Sequence, residues 1–195
     1  MQRKADISRK TNETDIEVAV NLDGTGVANI RTGLPFMDHM LTLMAAHGAM
    51  DLTIRAQGDI EVDYHHTLED TGICLGQALR RALGDCAGIH RYASLALPMD
   101  EALVSVALDI SNRPFLVLNL PPAQSASLNF DTQVIKEFMR ALVLQAGLTL
   151  HVNLVHGENT HHIYEACFKG LGRALRQAVA LDERCPGIPS TKGTL

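Results

Sequence analysis

The sequence predicts an α+β or mixed α/β chain made of two related halves, and three observations carry that prediction. A segment recurs: His65-His66-Thr67-Leu68-Glu69 and His161-His162-Ile163-Tyr164-Glu165 both read His-His-x-x-Glu, 96 residues apart. Gly76, Ala78, Leu79, Arg80 and Ala82 return at the same offset as Gly172, Ala174, Leu175, Arg176 and Ala178, and Leu52-Thr53-Ile54 returns as Leu148-Thr149-Leu150. A register kept across otherwise different residues marks an internal duplication. Helical and strand periodicities also alternate along the chain, and turn signals of the hairpin kind interrupt them. The natural division is a first half over 1–92 and a second over 93–195, each with one His-His helix and sharing a core.

Taken in order, Ile16, Val18, Val20 and Leu22 alternate with polar residues, so 15–22 reads as a strand with one buried face. Asp23-Gly24 predicts a tight hairpin turn into a short strand through Val27 and Ile30. Gly33-Leu34-Pro35 introduces a helix with the proline in its first turn, Phe36, Met40 and Met44 on one face, and a stop at Gly48. A strand through Leu52, Ile54 and Ala56 precedes the first His-His helix. Gly72 and Gly76, echoed by Gly170 and Gly172, each cost about 1 kcal/mol against alanine in a helix interior. Close helix packing is the simplest cause.

The middle of the chain is strand-rich. Ser94–Leu97, Val104 to Ile110 and Phe115–Leu120 read as an antiparallel set, with a turn at Met99-Asp100-Glu101. A loop from Pro121-Pro122 to Ser127 leads to a helix capped by Asp131 or Thr132 and running through Gln145. A strand from Leu148 and the second His-His helix, ending near Leu181, follow; the tail Pro186–Leu195 has no periodicity.

Composition narrows the function classes. With 17 basic and 22 acidic residues the net charge is −5, and tryptophan is absent, so nothing suggests a nucleic-acid groove. The apolar fraction of 46% is ordinary for a globular protein. Cys74, Cys86, Cys167 and Cys185 show no CxxC spacing and read as reduced, small packing residues. The first residues, Met1-Gln2-Arg3-Lys4, lack the apolar run of a signal peptide, and no stretch reaches the roughly 18 apolar residues of a membrane span. The expectation is a cytoplasmic protein with neither nucleic-acid nor membrane partners.

The repeated motif carries metal chemistry. On a helix, His65 and Glu69 lie four residues apart and His66 and Glu69 three apart, so each pair shares a face. Imidazole with carboxylate suits a first-row divalent ion such as Mn, Fe or Zn. Adjacent histidines project about 100° apart, so His65 and His66, like His161 and His162, belong to different ions. Two copies of the motif therefore point to a two-metal site. His47, His90, His151 and His156 read as structural.

Several further segments complete an ordered set: Pro35-Phe36-Met37-Asp38-His39-Met40-Leu41, Pro98-Met99-Asp100-Glu101-Ala102, Ser111-Asn112-Arg113-Pro114, Gly157-Glu158-Asn159-Thr160-His161-His162 and Pro189-Ser190-Thr191-Lys192-Gly193. With the first His-His-x-x-Glu-Asp they resemble the imidazoleglycerol-phosphate dehydratase family over nearly the whole chain. The resemblance implies an α+β fold of two duplicated half-domains, each a sheet with two helices on one face, like domain 2 of ribosomal protein S5. It implies a hydro-lyase of histidine biosynthesis that converts imidazole glycerol phosphate to imidazole acetol phosphate. It further implies two Mn2+ ions per active site, and a homo-oligomeric shell of twenty-four chains built from trimers, with active sites between subunits. Carried over by position, the metal ligands are His39, His65, His66, Glu69, His161, His162, Glu165 and Glu137, which stands where some members have histidine. The matching substrate-binding positions are Glu13, Arg91, Arg113, Lys169, Ser190 and Lys192, with Glu13 and Glu165 the candidates for proton transfer.

The chemistry explains the need for metal. The proton to be lost is not adjacent to a carbonyl, so a base alone faces a weak carbon acid. Metal-bound imidazolate can expel the hydroxyl, and the resulting diazafulvene has an acidic neighbouring proton. The phosphate calls for cations. Lys169 shares a helix face with Glu165 and His161, whereas the first copy has Ile73 at that position. A two-metal phosphate-ester hydrolase and a metal-organised storage shell would use similar ligand types; the first would release inorganic phosphate and the second would not turn over.

Overall fold

The computed structural model describes residues 2–122 and 133–195. The expected caps Asp131 and Thr132, and the stretch of the expected loop from residue 123 to Ser127, lie outside the described residues. The first half holds β1 (Lys4–Lys10), β2 (Thr14–Asn21), β3 (Ala28–Arg31), α1 (Pro35–Gly48), β4 (Asp51–Gly58) and α2 (His65–Leu83). The second holds β5 (Tyr92–Met99), β6 (Ala102–Ile110), β7 (Phe115–Asn119), α3 (Gln133–Ala146), β8 (Leu148–His156) and α4 (Thr160–Val179).

The two sheets have the same order, β1-β2-β4-β3 and β5-β6-β8-β7, as a duplicated unit requires. In each, neighbouring strands pair antiparallel except the last two, where β3 lies parallel to β4 and β7 parallel to β8. Two expectations are corrected here. Asp23-Gly24 does not close a hairpin: β1 and β4 already occupy both edges of β2, so the chain crosses the start of β4 and pairs on its far side. The crossing is tight, with Asp51 Oδ1 accepting from the amides of Thr25 (2.8 Å) and Val27 (3.1 Å). Phe115–Asn119 likewise joins parallel to β8, because a helix, α3, separates the two strands and returns the chain in the same direction. Strand β1 has no counterpart in the sequence prediction.

Each sheet buries one face against the two helices of its own half. Ile16, Val18 and Val20 alternate inward on β2 beside Leu52 and Ile54 on β4, while Glu17 and Arg55 face outward. The two helical layers then meet, α1 against α4 and α2 against α3. Alpha-carbon hydrogens make this contact possible. A Cβ on Gly72 would stand 2.5 Å from Phe138 O, one on Gly76 2.7 Å from Leu142 O, and one on Gly172 2.3 Å from Met44 O. Gly170 is different: a Cβ there would stand 2.8 Å from Val106 Cγ2, so this glycine seats α4 on its sheet and not on another helix. All four thiols are free. Cys74 and Cys167 pack in the core, where burial pushes their thiols up to about 11 and about 12. Cys185 is exposed, so it is no packing residue. No helix among the described residues is long and apolar enough to cross a membrane.

Candidate metal centre

The contact between α1 and α4 brings together residues more than a hundred positions apart. His39, in the second turn of α1, directs Nε2 to Glu165 Oε1 of α4 at 2.8 Å, and His161 Nε2 reaches the same oxygen at 3.1 Å. Among the described residues, these are the three His, Cys, Asp or Glu side chains whose donor atoms gather within 4.8 Å of one another. Ligand bonds of about 2.1 Å at right angles place neighbouring donors about 3 Å apart, so the spacing fits one divalent ion. Two imidazoles with one carboxylate also suit manganese, iron or zinc.

Glu165 is 7% exposed. Burial by itself would raise its carboxyl, but hydrogen bonds from Lys169, His39 and His161 overcome that cost and hold it down at about 2. Lys169 Nζ sits 2.5 Å from Oε2, leaving Oε1 turned toward the two imidazoles. Lys169 itself is largely covered, with Met99 Sδ 3.2 Å from its ammonium. Its position is that of a clamp on Glu165.

The second histidine of each motif points elsewhere. Rings of His161 and His162 stand nearly perpendicular, at 87°, and those of His65 and His66 at 82°. His162 Nδ1 donates to Glu101 Oε2 at 2.7 Å, and His66 Nδ1 to Asp59 Oδ2 at 3.0 Å. An ionised carboxylate only accepts, so it fixes the proton on Nδ1 and leaves Nε2 available to an ion. The Glu101 hydrogen bond raises His162 above its ordinary value, and the Asp59 bond does the same for His66. In turn, the His162 bond and the amides of Asn159 and Glu158 hold Glu101 at about 2. Glu101 thus ties the β5–β6 turn to the head of α4, where Asn159 accepts from the amides of His161 and His162.

Glu13 reaches this region too, with Oε2 3.8 Å from His66 Nδ1. His65 and Glu69 face each other across one helical turn at 3.5 Å, both exposed. Glu137 has Arg140 as its ion partner at 3.6 Å. Neither His65, Glu69 nor Glu137 is gathered into a three-donor set among the described residues. Asp59 and Glu101 were not singled out as functional from the sequence. Only the segment Pro98-Met99-Asp100-Glu101-Ala102 hinted at Glu101, and Asp59 meets His66 across a loop that leaves no periodic trace.

Arg91, Arg113, Ser190 and Lys192 converge at a separate place, an open cleft between the start of β5 and the tail. Arg91 is buried, its Nη1 donating to Pro189 O at 2.8 Å, while Arg113 is exposed. Lys169 does not join this cleft. The cleft lies beside Tyr92 and the metal centre beside Met99, at opposite ends of β5, and seven steps of about 3.3 Å separate them by roughly 23 Å.

The family profile described as imidazoleglycerol-phosphate dehydratase matches residues 32–175. The chain is 56% identical over 194 residues to the imidazoleglycerol-phosphate dehydratase of Rhodopseudomonas palustris strain BisB5, covering 99% of this chain and 98% of the relative. It is 58% identical over 194 residues to that of Azorhizobium caulinodans, with the same coverage. The crystal structure of the Staphylococcus aureus N315 imidazoleglycerol-phosphate dehydratase superposes with a TM-score of 0.82 at 38% identity, over 92% of this chain and 99% of that one. The Pyrococcus furiosus structure, in complex with (S)-C348, gives 0.79 at 40% identity, over 97% and 100%. Sequence motifs, paired sheets and comparisons agree, and the chain belongs to the imidazoleglycerol-phosphate dehydratase family of hydro-lyases.

Proposed function

We propose that this chain dehydrates imidazole glycerol phosphate to imidazole acetol phosphate in histidine biosynthesis, using two manganese ions per active site. The observation that carries the metal part is the convergence of His39, His161 and Glu165 on one point. His162, held by Glu101, and His65, His66, Glu69 and Glu137 would supply the remaining ligands. Manganese, when bound, supplies Lewis acidity to the imidazole ring and lowers the cost of its anion.

The protein's own residues do the rest. Lys169 keeps Glu165 ionised and turned toward the centre. Glu13, exposed beside His66, takes up or returns a proton on the carbon chain, where dehydration removes a hydrogen and a neighbouring hydroxyl. Arg113, Ser190 and Lys192, with Arg91, hold the phosphate in the tail cleft.

Both ends of the substrate cannot be held by one chain. Bonds of about 1.5 Å let its carbon chain stretch about 8 Å, against roughly 23 Å between the cleft and the metal centre. That distance supports a site completed by a second chain, and the family resemblance supplies the form proposed for it, a cytoplasmic homo-oligomer of twenty-four chains built from trimers. Its partner is a small phosphorylated imidazole. Incubating the protein with imidazole glycerol phosphate and manganese tests the proposal. The acetol phosphate should form with phosphate retained; release of inorganic phosphate would identify a hydrolase, and no product with any divalent metal would end the proposal.

A further inference from the structure

Beside the tail cleft lies an ion pair, its arginine buried, to which the dehydration chemistry gives no direct task. Asp109, on the outward face of β6, receives Arg91 Nε on Oδ1 at 2.8 Å and Arg91 Nη2 on Oδ2 at 3.3 Å. Its Oδ2 is also 3.7 Å from Arg113 Nη2. One carboxylate therefore sits between the two arginines that line the cleft.

Arg91 is fixed from every side. Its amide donates to Ala178 O at 2.8 Å, its carbonyl accepts from Ile110 N at 3.1 Å, and its guanidinium lies 4.5 Å over the Tyr92 ring. Its φ of 71° is a left-handed value rarely kept by a side-chain-bearing residue unless surrounding contacts impose it. Nη1 donates to Pro189 O, and the tail beyond folds on itself, with Gly193 N bonded to Ser190 O and Lys192 N to Ser190 Oγ. After these bonds each Nη still carries one N–H.

We infer that Asp109 is a positioning residue for phosphate recognition. Its fork aims Arg91, which pins the tail at Pro189 and so presents Ser190 and Lys192 to the cleft, while its second oxygen draws Arg113 toward the same point. An arginine held by a carboxylate fork cannot rotate away from the anion it must meet. The carboxylate also offsets the repulsion of two guanidinium groups facing one cleft. This inference rests on the reading of the cleft as the phosphate site.

The test compares Asp109→Asn with Arg113→Ala, both as assembled, manganese-loaded protein. Asp109→Asn should raise KM about tenfold, with kcat changed less than about twofold. Inhibition by inorganic phosphate should weaken in parallel, and tryptic cleavage after Lys192 should quicken as the tail is released. Asp109→Glu keeps the charge but displaces it by one methylene, so it should fall between parent and Asn. If Arg113→Ala raises KM while Asp109→Asn leaves KM, phosphate inhibition and cleavage unchanged, the positioning role is overturned and the phosphate site stands. If Arg113→Ala also leaves KM and phosphate inhibition unchanged, the phosphate reading fails and takes this inference with it. A fall in kcat at constant KM would mark Asp109 as merely structural. Should Asp109→Asn fail to assemble, Asp109→Glu decides on the same criteria.

Discussion

Gly172→Ala should loosen the metal centre from two helical turns away. Its Cβ would stand 2.3 Å from Met44 O and 3.0 Å from Gly48 N, both backbone atoms of α1 that cannot swing aside. Ordinary contact begins at 3.4 Å, so α1 and α4 must part by about 1 Å at that point. Overpacking of this kind costs about 3 kcal/mol, the upper part of the usual range. For a chain of this size each kcal/mol lowers Tm by about 2–4 °C, giving a fall of about 6–12 °C. His39 rides on α1 and Glu165 and His161 on α4, so the separation also draws His39 Nε2 away from Glu165 Oε1, now 2.8 Å apart. Metal sites tolerate only about 0.2 Å, and manganese affinity should drop by tenfold or more, about 1.4 kcal/mol. Thermal melts of the metal-free protein and manganese titration by calorimetry measure the two effects. Gly187→Ala, where a Cβ would meet nothing within 4 Å, is the control. If Gly172→Ala melts with the parent and binds manganese equally well, close backbone approach does not set the geometry of the centre.

Other consequences follow from the same contacts. Lys169→Met keeps the stem packed but removes the ammonium from Glu165, so activity and manganese affinity should both fall; Ile73→Ala, at the matching half-buried place in α2, should cost only about 1 kcal/mol of stability. Calorimetry and kinetics on the pair separate these outcomes, and equal losses would show that Lys169 has no special part. In metal-free protein, Glu101→Gln should destabilise most near pH 4.5–6.5, where Glu101 is ionised and His162 protonated. Glu101 lies below its ordinary 4.5, so its contribution fades as pH falls toward about 2; His162 lies above its ordinary 6.5, so its contribution fades as pH rises through that raised value. A Tm difference independent of pH between the two proteins would exclude this coupling. Stripping the metal should break the particle into smaller oligomers that manganese restores, while His162→Ala impairs both activity and assembly; unchanged mass by light scattering after verified metal removal would mean packing alone holds it.

Local sequence reveals the repeat, the paired His-His-x-x-Glu helices and most elements, because each depends on neighbours a few positions away. Ile16, Val18 and Val20 announce β2 by alternation, and Pro35 marks the start of α1. Strand β1 was not legible: only Ala5 in Lys4–Lys10 is fully buried, and the segment is extended because β2 offers it an edge. The same non-local cause defeats the hairpin expected at Asp23-Gly24. Its turn chemistry is real, but which strand is free to pair is decided by β1 and β4. At the site, His161 and Glu165 share a helix face and are legible together, whereas His39 meets Glu165 across 126 positions through the α1–α4 contact. His39 and the tail cations stand out only through family resemblance. Asp59, Glu101 and Asp109 act through partners brought by folding, and no spacing in the chain betrays them.

Complementation between chains tests most directly the claim that the His39, His161 and Glu165 centre of a site and its phosphate cleft come from different chains. His161→Ala disables the metal centre, and Arg113→Ala combined with Lys192→Ala disables the tail cleft. Each protein alone should be inactive. Stripped, mixed in equal amounts and reassembled with manganese, they should regain about a quarter of the parent activity, since random pairing joins an intact metal half to an intact cleft at that frequency. A mixed particle, verified by mass, that stays inactive would contradict a site shared between chains.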